Sequence, residues 1–233
     1  METLSYLQRR GQIEHYFDRT AAETWKRLTS DAPVSGIRAT VRAGREEMRA
    51  TLLSWLPADL SGRRLLDAGC GTGVLSQEAA RRGARVVAID LSPTLVAHAR
   101  EAGGGEPGRG SIDYRVGDML DESLGAFDHA VAMDSLIHYG ASDVVRSLGR
   151  LAGRTRHSMV FTFAPQTPAL RVMHAVGRWF PRGDRAPAIE PVAERVLRDL
   201  IARHPQLAGW RVGRTQRVTS GFYKSQAVEL LRA

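Results

Sequence analysis

Three alternating glycines, with one acidic residue just before them and another after the next apolar run, are the residues of this chain best spaced to do chemistry. The stretch Leu65-Leu66-Asp67-Ala68-Gly69-Cys70-Gly71-Thr72-Gly73 leads from an apolar run through a tight turn into a helix-compatible segment. Gly69, Gly71 and Gly73 permit the turn and let the backbone approach a ligand without side-chain interference. Asp67 and Asp90 lie at two successive strand ends, which converge on one crevice in a parallel sheet. Carboxylates at that place suit polar recognition of a nucleotide cofactor, through charge-assisted hydrogen bonds, rather than metal binding. The dinucleotide fingerprint competes for such a loop. A turn without a cofactor is the third reading, but turning alone does not require both acids.

Further candidates follow later strands. Asp118 and Met119 come after the run 112–116 and the turn residue Gly117, and Leu91 and Ser92 shape the neighbourhood of Asp90. The segment Asp134-Ser135-Leu136-Ile137-His138-Tyr139 follows the fourth apolar run, where side chains face both a cofactor and an acceptor. A histidine has neutral and cationic forms available near physiological pH, so His138 suits proton transfer or carboxylate orientation. His98, His129, His157, His174 and His204 are scattered over different elements, and no histidine/acid spacing supports a protein-held metal. Cys70 is the single cysteine, which excludes an internal disulfide and a cysteine-clustered zinc site. Its place inside the glycine loop favours packing over nucleophilic chemistry.

The elements that position these residues read as alternating strands and helices. Strands are expected over 64–68, 84–89, 112–116, 127–133 and 157–163, with helices over 74–82, 93–100 and 144–151. The Ser92-Pro93 pair marks a helix start. Glycines over 103–110 make a flexible connection, and 210–219 with 222–231 read as two antiparallel strands joined through Ser220-Gly221. Before the glycine loop, helical spacing over 4–17 (interrupted by Gly11), 20–28 and 35–56 gives an amphipathic cover rather than an independent domain. The alternation predicts a doubly wound α/β domain. A chain of 233 residues with 43% hydrophobic composition buries one substantial core. No secretion signal or membrane-length apolar run is evident, and the cysteine usage agrees with a cytoplasmic setting. The formal charge of +8 suits acidic partners, but no nucleic-acid module accompanies it, so a small anionic substrate is preferred to nucleic acid.

The motif Asp-Ala-Gly-Cys-Gly-Thr-Gly resembles the first motif of class I S-adenosylmethionine-dependent methyltransferases. Three further segments extend the resemblance to the magnesium-protoporphyrin IX O-methyltransferase family of bacteriochlorophyll and chlorophyll synthesis. They are His15-Tyr16-Phe17-Asp18 with Trp25 downstream, Met133 to Tyr139, and Arg178-Trp179-Phe180-Pro181-Arg182-Gly183-Asp184-Arg185-Ala186-Pro187 with the four residues after it. The resemblance implies a Rossmann-like seven-stranded sheet with its last strand antiparallel, a helical cover over 1–58, a methyltransferase domain over 59–233 and a substrate lid over 165–190.

It also implies roles. Asp67 faces the methionine amino group, the loop of Gly69, Gly71 and Gly73 lies beneath the cofactor, and Asp90 holds the ribose hydroxyls beside Leu91 and Ser92. Asp118 contacts the adenine amino group, Met119 covers the ring, and Asp134 approaches the cofactor. Tyr16 and His138 are the acceptor-side catalytic residues, with Tyr139 adjacent. Trp25 and Trp179 meet the macrocycle, while Arg178, Arg182 and Arg185 attract a propionate. The implied reaction is methyl transfer from S-adenosylmethionine to the 13-propionate of Mg-protoporphyrin IX, whose magnesium belongs to the substrate. Delivery by the large porphyrin-binding subunit of magnesium chelatase and peripheral contact with a photosynthetic or cytoplasmic membrane are implied as well. Methyl transfer to another small carboxylate, phenol or amine, and a non-catalytic cofactor-binding assembly protein, are the alternatives.

Overall fold

In the computed structural model the described residues are 3–18, 36–103, 109–166 and 188–233. Seven strands form one sheet in the order β3-β2-β1-β4-β5-β7-β6. They are β1 (Arg64–Ala68), β2 (Arg85–Asp90), β3 (Ser111–Val116), β4 (Phe127–Ala132), β5 (Thr155–Phe163), β6 (Trp210–Ser220) and β7 (Tyr223–Arg232). β1 to β5 pair in parallel, and β7 enters antiparallel between β5 and β6. The chain runs outward from β1 to β3 and then returns to the other side of β1 as β4. That reversal opens a crevice at the carboxyl ends of β1 and β4.

Central strands buried on both faces carry short apolar runs, Leu65-Leu66 in β1 and Ala130-Val131-Ala132 in β4, which is why both are legible in the sequence. Their alternate residues serve two half-cores, as a two-residue side-chain period requires. Leu66, Ala68, Val87, Ile89, Ala130 and Phe161 pack on one side, with α1 (Leu4–Tyr16) and the later helices. Leu65, Val86, Ala88, Val131 and Val160 pack on the other, beneath α2 (Ile37–Ser54), α3 (Val74–Arg81) and α4 (Pro93–Ala102). α5 (Ala141–Ala152) and α6 (Glu194–Arg203) complete the first side through Val144, Leu148, Leu197 and Ile201. α4 starts at Ser92, whose hydroxyl accepts from Leu95 N at 3.2 Å with Pro93 at the first helical position.

The expected strands coincide with the observed ones to within about two residues. Gly11 does not interrupt α1, and a side chain there would meet nothing within 4 Å. α6 is absent from the sequence reading because its charged surface leaves only Leu197 and Ile201 buried, too short a stripe to stand out. The expected helix over 20–28 and most of the lid over 165–190 lie outside the described residues, as do 104–108 in the glycine-rich connection.

The antiparallel end of the sheet depends on a buried acid. Glu229 on β7 is 1% exposed and is held by Arg214 of β6, whose Nη2 and Nε lie 2.5 and 2.8 Å from the carboxylate. Burial pushes the Glu229 pKa up, but the Arg214 hydrogen bonds and charge outweigh it, so the folded pKa lies below the ordinary 4.5. A depressed folded pKa contributes stability above the unfolded value and loses it as pH falls through the folded one. Arg214→Leu is therefore expected to destabilise the fold by about 1–3 kcal/mol at pH 7. In urea denaturation the gap between the two proteins should narrow as pH drops below 4.5; an unchanged gap would refute the pairing as its cause.

Candidate active site

The glycine loop is fixed by what leaves it no room. Gly69, Gly71 and Gly73 have φ values of +84°, +54° and +76°, a region that L side chains avoid. A Cβ at Gly69 would lie 2.4 Å from the Ser135 Cβ, and one at Gly73 would lie 2.8 Å from the Tyr114 hydroxyl. At Gly71 it would meet nothing and would project into the cavity that this residue lines. The amides of Gly69 and Cys70 both donate to Ile89 O, at 2.8 and 3.0 Å, so the loop is clipped onto the end of β2.

Two carboxylates, the buried Asp67 and the half-buried Asp90, flank this loop. Asp67, 1% exposed, accepts a 2.5 Å hydrogen bond from Ser76 Oγ on the first turn of α3. Burial is the main force that raises its pKa to about 7; Ser76 opposes the shift and the nearby Asp90 charge adds to it. Asp90 accepts from Gly71 N at 2.9 Å and from Ser92 N at 3.0 Å, and burial pushes its pKa up as well. One lone pair of each Asp90 oxygen is spent on these bonds, which leaves acceptor capacity toward the cavity. Burial first, then Asp90 and Asp67, drives the Cys70 thiol well above its ordinary value, so the thiolate a nucleophile needs is suppressed.

α1 roofs the same cavity. Tyr6 stacks on Tyr139 with ring centroids 4.9 Å apart, and its hydroxyl donates to Asp118 Oδ1 at 2.9 Å. Arg10 reaches Asp118 Oδ2 at 2.8 Å, and Leu120 N donates to Oδ1. Burial raises the Tyr139 pKa, reinforced by the Asp118 charge. Phe17 meets the His138 ring edge-on at 5.9 Å, while His138 Nδ1 lies 3.4 Å from Ala188 O. Asp18 accepts from Thr94 Oγ1 at 2.6 Å, tying the end of this cover to the start of α4. Arg9 pairs with Glu190 at 2.6 Å, and Glu190 N donates to Ile137 O.

The cavity so bounded has a volume of about 230 Å³. Of the sequence-assigned residues it is lined by Asp67, Gly69, Gly71, Asp90, Leu91, Asp118, Met119, Asp134, His138 and Tyr139. Gly73 and Ser92 stand behind it, as the α3 and α4 caps. Tyr16 is not among the lining residues; it packs edge-on against Phe17 at 5.2 Å, and the aromatics of this cover that reach the cavity are Tyr6 and Phe17. Asp134 differs from a simple cofactor contact. Held at φ +54°, its carboxylate is engaged by Arg45 at 2.6 Å, Tyr223 at 3.1 Å, Thr162 at 3.2 Å and Ser225 at 3.3 Å. Trp25, Arg178, Trp179, Arg182 and Arg185 lie outside the described residues.

The sequence reading missed three features. Ser76 was readable as a hydroxyl on the first turn after the loop. Arg42, Arg45 and Arg49 recur at helical spacing on α2 and line the cavity. Ser135 carries a buried hydroxyl with no hydrogen-bond partner among the described residues, beside Gly69; only the fold reveals it.

An aminoacyl nucleoside such as S-adenosylmethionine fits these groups: a buried acid for an ammonium, a second acid for hydroxyls, an open Gly71 and an unsatisfied Ser135. The methyltransferase-domain family profile matches residues 65–157, and the profile for the C-terminus of magnesium-protoporphyrin IX methyltransferase matches residues 132–232. A magnesium-protoporphyrin O-methyltransferase of Rhodobacter capsulatus is 48% identical, over 96% of this chain and 97% of its own. The chain belongs to the magnesium-protoporphyrin IX methyltransferase family. The crystal structure of a family member from Synechocystis, magnesium protoporphyrin IX methyltransferase with bound S-adenosylhomocysteine, superposes with a TM-score of 0.83 at 26% identity, covering 96% of this chain and 100% of that one. The sheet is accordingly the class I methyltransferase sheet. A ubiquinone biosynthesis O-methyltransferase of Xanthomonas oryzae is 38% identical but matches only 54% of the chain and 55% of its own, so the full-length likeness distinguishes the porphyrin family from the quinone one.

Gly69→Ala tests the loop. Positive φ and the Ser135 contact together should cost about 2 kcal/mol or more of stability and weaken S-adenosylhomocysteine at least about tenfold. Thermal denaturation and calorimetric titration read the two effects, and wild-type affinity in this variant would contradict the packing argument.

Proposed function

We propose that this chain transfers the methyl group of S-adenosylmethionine to the 13-propionate carboxylate of Mg-protoporphyrin IX, giving the 13-monomethyl ester and S-adenosylhomocysteine. The observation that carries the reading is a single cavity joining the glycine loop and its two flanking acids to His138 and Tyr139. The full-length identity with a magnesium-protoporphyrin O-methyltransferase supports the acceptor.

The cofactor supplies a methyl on a sulfonium centre, which becomes a neutral thioether when the acceptor oxygen takes the methyl carbon. A propionate is already ionised near neutrality, so no residue has to create the nucleophile. The task left to the protein is placement and exclusion of water, and well-oriented reactants gain about 7–11 kcal/mol from placement alone. Asp67 receives the ammonium and Asp90 the ribose hydroxyls, over a backbone floor at Gly69 and Gly71. Gly73, Leu91 and Ser92 hold that floor in shape. Asp118 and Met119 border the adenine, with Asp118 oriented by Tyr6, Arg10 and Leu120. Asp134 is a positioning residue that joins α2 to β5 and β7.

On the acceptor side, His138 orients the carboxylate or takes up a residual proton, and the stacked Tyr6 and Tyr139 keep water out. Tyr16 acts from behind the Phe17–His138 pair. Trp25, Trp179, Arg178, Arg182 and Arg185 form the porphyrin side of a cover over 1–58 and a lid over 165–190, set on a methyltransferase domain over 59–233. The Arg9–Glu190 pair ties α1 of the cover to the last residue of the lid. Among the described residues no helix is long and apolar enough to cross a membrane. Peripheral membrane contact is supported by the exposed Leu4 and Phe222 and by the net positive charge, and delivery by the large subunit of magnesium chelatase follows from the family likeness.

Radiolabelled transfer from S-adenosylmethionine to Mg-protoporphyrin IX, with the product identified, tests the reading. Catalytic formation of the 13-monomethyl ester is expected, and cofactor binding without transfer to solubilised porphyrin would refute it. His138→Ala should slow turnover about 10–100-fold, equivalent to about 1.4–2.7 kcal/mol, while leaving S-adenosylhomocysteine affinity within about twofold. An equal loss in affinity would move His138 to the cofactor side.

A further inference from the structure

The chain returns from the proposed lid across the carboxyl ends of β4 and β5, and its return runs beside His138. Val192 N donates to Ala164 O and Gln166 N donates to Val192 O, both at 2.9 Å, which pins the segment to the end of β5. Glu190 N donates to Ile137 O at 2.9 Å, which lays the segment along the turn that carries His138. Two residues earlier, Ala188 O lies 3.4 Å from His138 Nδ1. A carbonyl oxygen only accepts, so Nδ1 holds the proton of the neutral ring and Nε2 carries the lone pair. Ile189, between these contacts, is exposed, so apolar burial does little to hold this stretch. Glu190 supplies a side-chain tether, since its Oε1 lies 2.6 Å from Arg9 Nη2 on α1. Arg9 Nη1 also meets Gln12 Oε1 at 3.3 Å, which keeps the guanidinium along the helix.

Both members of that pair are partly exposed, and an ion pair so placed adds little to global stability. Its importance is positional, because it joins the cover to a residue two places from the carbonyl that meets His138. We propose that Glu190, held by Arg9, is a positioning residue for His138. It keeps the Ala188 carbonyl on Nδ1, which fixes the tautomer of the buried ring and leaves Nε2 to meet the acceptor. The contact also links the cover to the chemistry, since His138 takes its working tautomer when α1 lies in place. The inference rests on the methyl-transfer reading only for what His138 acts on.

The test uses the full-length wild type, Glu190→Ala, Arg9→Ala and Arg9→Lys, with Glu190→Ala also made in the His138→Ala background. Methyl transfer is followed with S-adenosylmethionine and Mg-protoporphyrin IX. Nitrogen NMR at alkaline pH reads the histidine tautomers, the His138 signals being those lost in His138→Ala. Wild-type His138 should carry its proton on Nδ1, and Glu190→Ala should shift that signal toward the other tautomer. Glu190→Ala and Arg9→Ala should each lower kcat about tenfold, as a reacting group that loses orientation does, with KM for S-adenosylmethionine within about twofold. Arg9→Lys, which keeps the charge, should lose less. The melting temperature of Glu190→Ala should stay within about 3 °C of wild type, as a partly exposed pair implies. In the His138→Ala background Glu190→Ala should cost less than about twofold, because both changes act through one ring. An undiminished loss in that background, or a tautomer unmoved by Glu190→Ala, overturns the proposal. If the tautomer responds but no methyl ester forms even in the wild type, the reaction assignment fails and the positioning role stands.

Discussion

The structure turns on a carboxyl group kept out of water at the floor of the cavity. Asp67 ends the innermost strand, where burial disfavours its charge and one hydroxyl, Ser76 Oγ, is its hydrogen-bond donor. A carboxylate so placed is incomplete without a cation, since buried charge is tolerated only when paired. Near neutral pH it stands close to the midpoint between its two forms. In the proposed reaction the cofactor's ammonium would complete the ionised one. The glycine loop leaves that floor open: its three positive φ angles, its clip to Ile89 and the closeness of Ser135 and Tyr114 keep side chains away from it.

The rest of the site is a set of tethers that aim other groups at this floor. Asp90 is joined to the loop through Gly71, so the two acids share one rigid frame. Asp118 gathers Tyr6 and Arg10 from α1, which fastens the roof to the strand end beneath it. Asp134 gathers Arg45, Thr162, Tyr223 and Ser225 from three elements, and its left-handed backbone is the strain such a convergence point supports. Each tether is an acid meeting donors from sequence-distant elements. The arginine excess thus does more than coat the surface: Arg10, Arg45 and Arg214 all serve buried or nearly buried acids.

The parts legible in the sequence are those fixed by local physics. The glycine loop, the strand ends at Asp67 and Asp90 and the Ser92-Pro93 helix start each follow from backbone preferences over a few residues. The short apolar runs Leu65-Leu66 in β1 and Ala130-Val131-Ala132 in β4 follow from burial on both faces. What local pattern did not reveal depends on distant partners. Nothing near Asp134 announces that four donors from other elements will occupy its carboxylate. Tyr16 stands out beside Phe17 in the sequence, yet helical phase turns Phe17 and Tyr6 to the cavity instead. The Arg42–Arg45–Arg49 stripe is a middle case, since its spacing is visible but its orientation is set by Met48 and Leu52 packing on the sheet.

The central claim is that Asp67 is a high-pKa acid awaiting a cation, and carbon NMR of its carboxyl through a pH titration tests this directly. In the free protein the midpoint should lie near 7. With S-adenosylhomocysteine bound it should fall by more than about one unit, as an adjacent positive charge demands. A midpoint at the ordinary value of 3.8 in the free protein, or one unmoved by the ligand, would contradict the account.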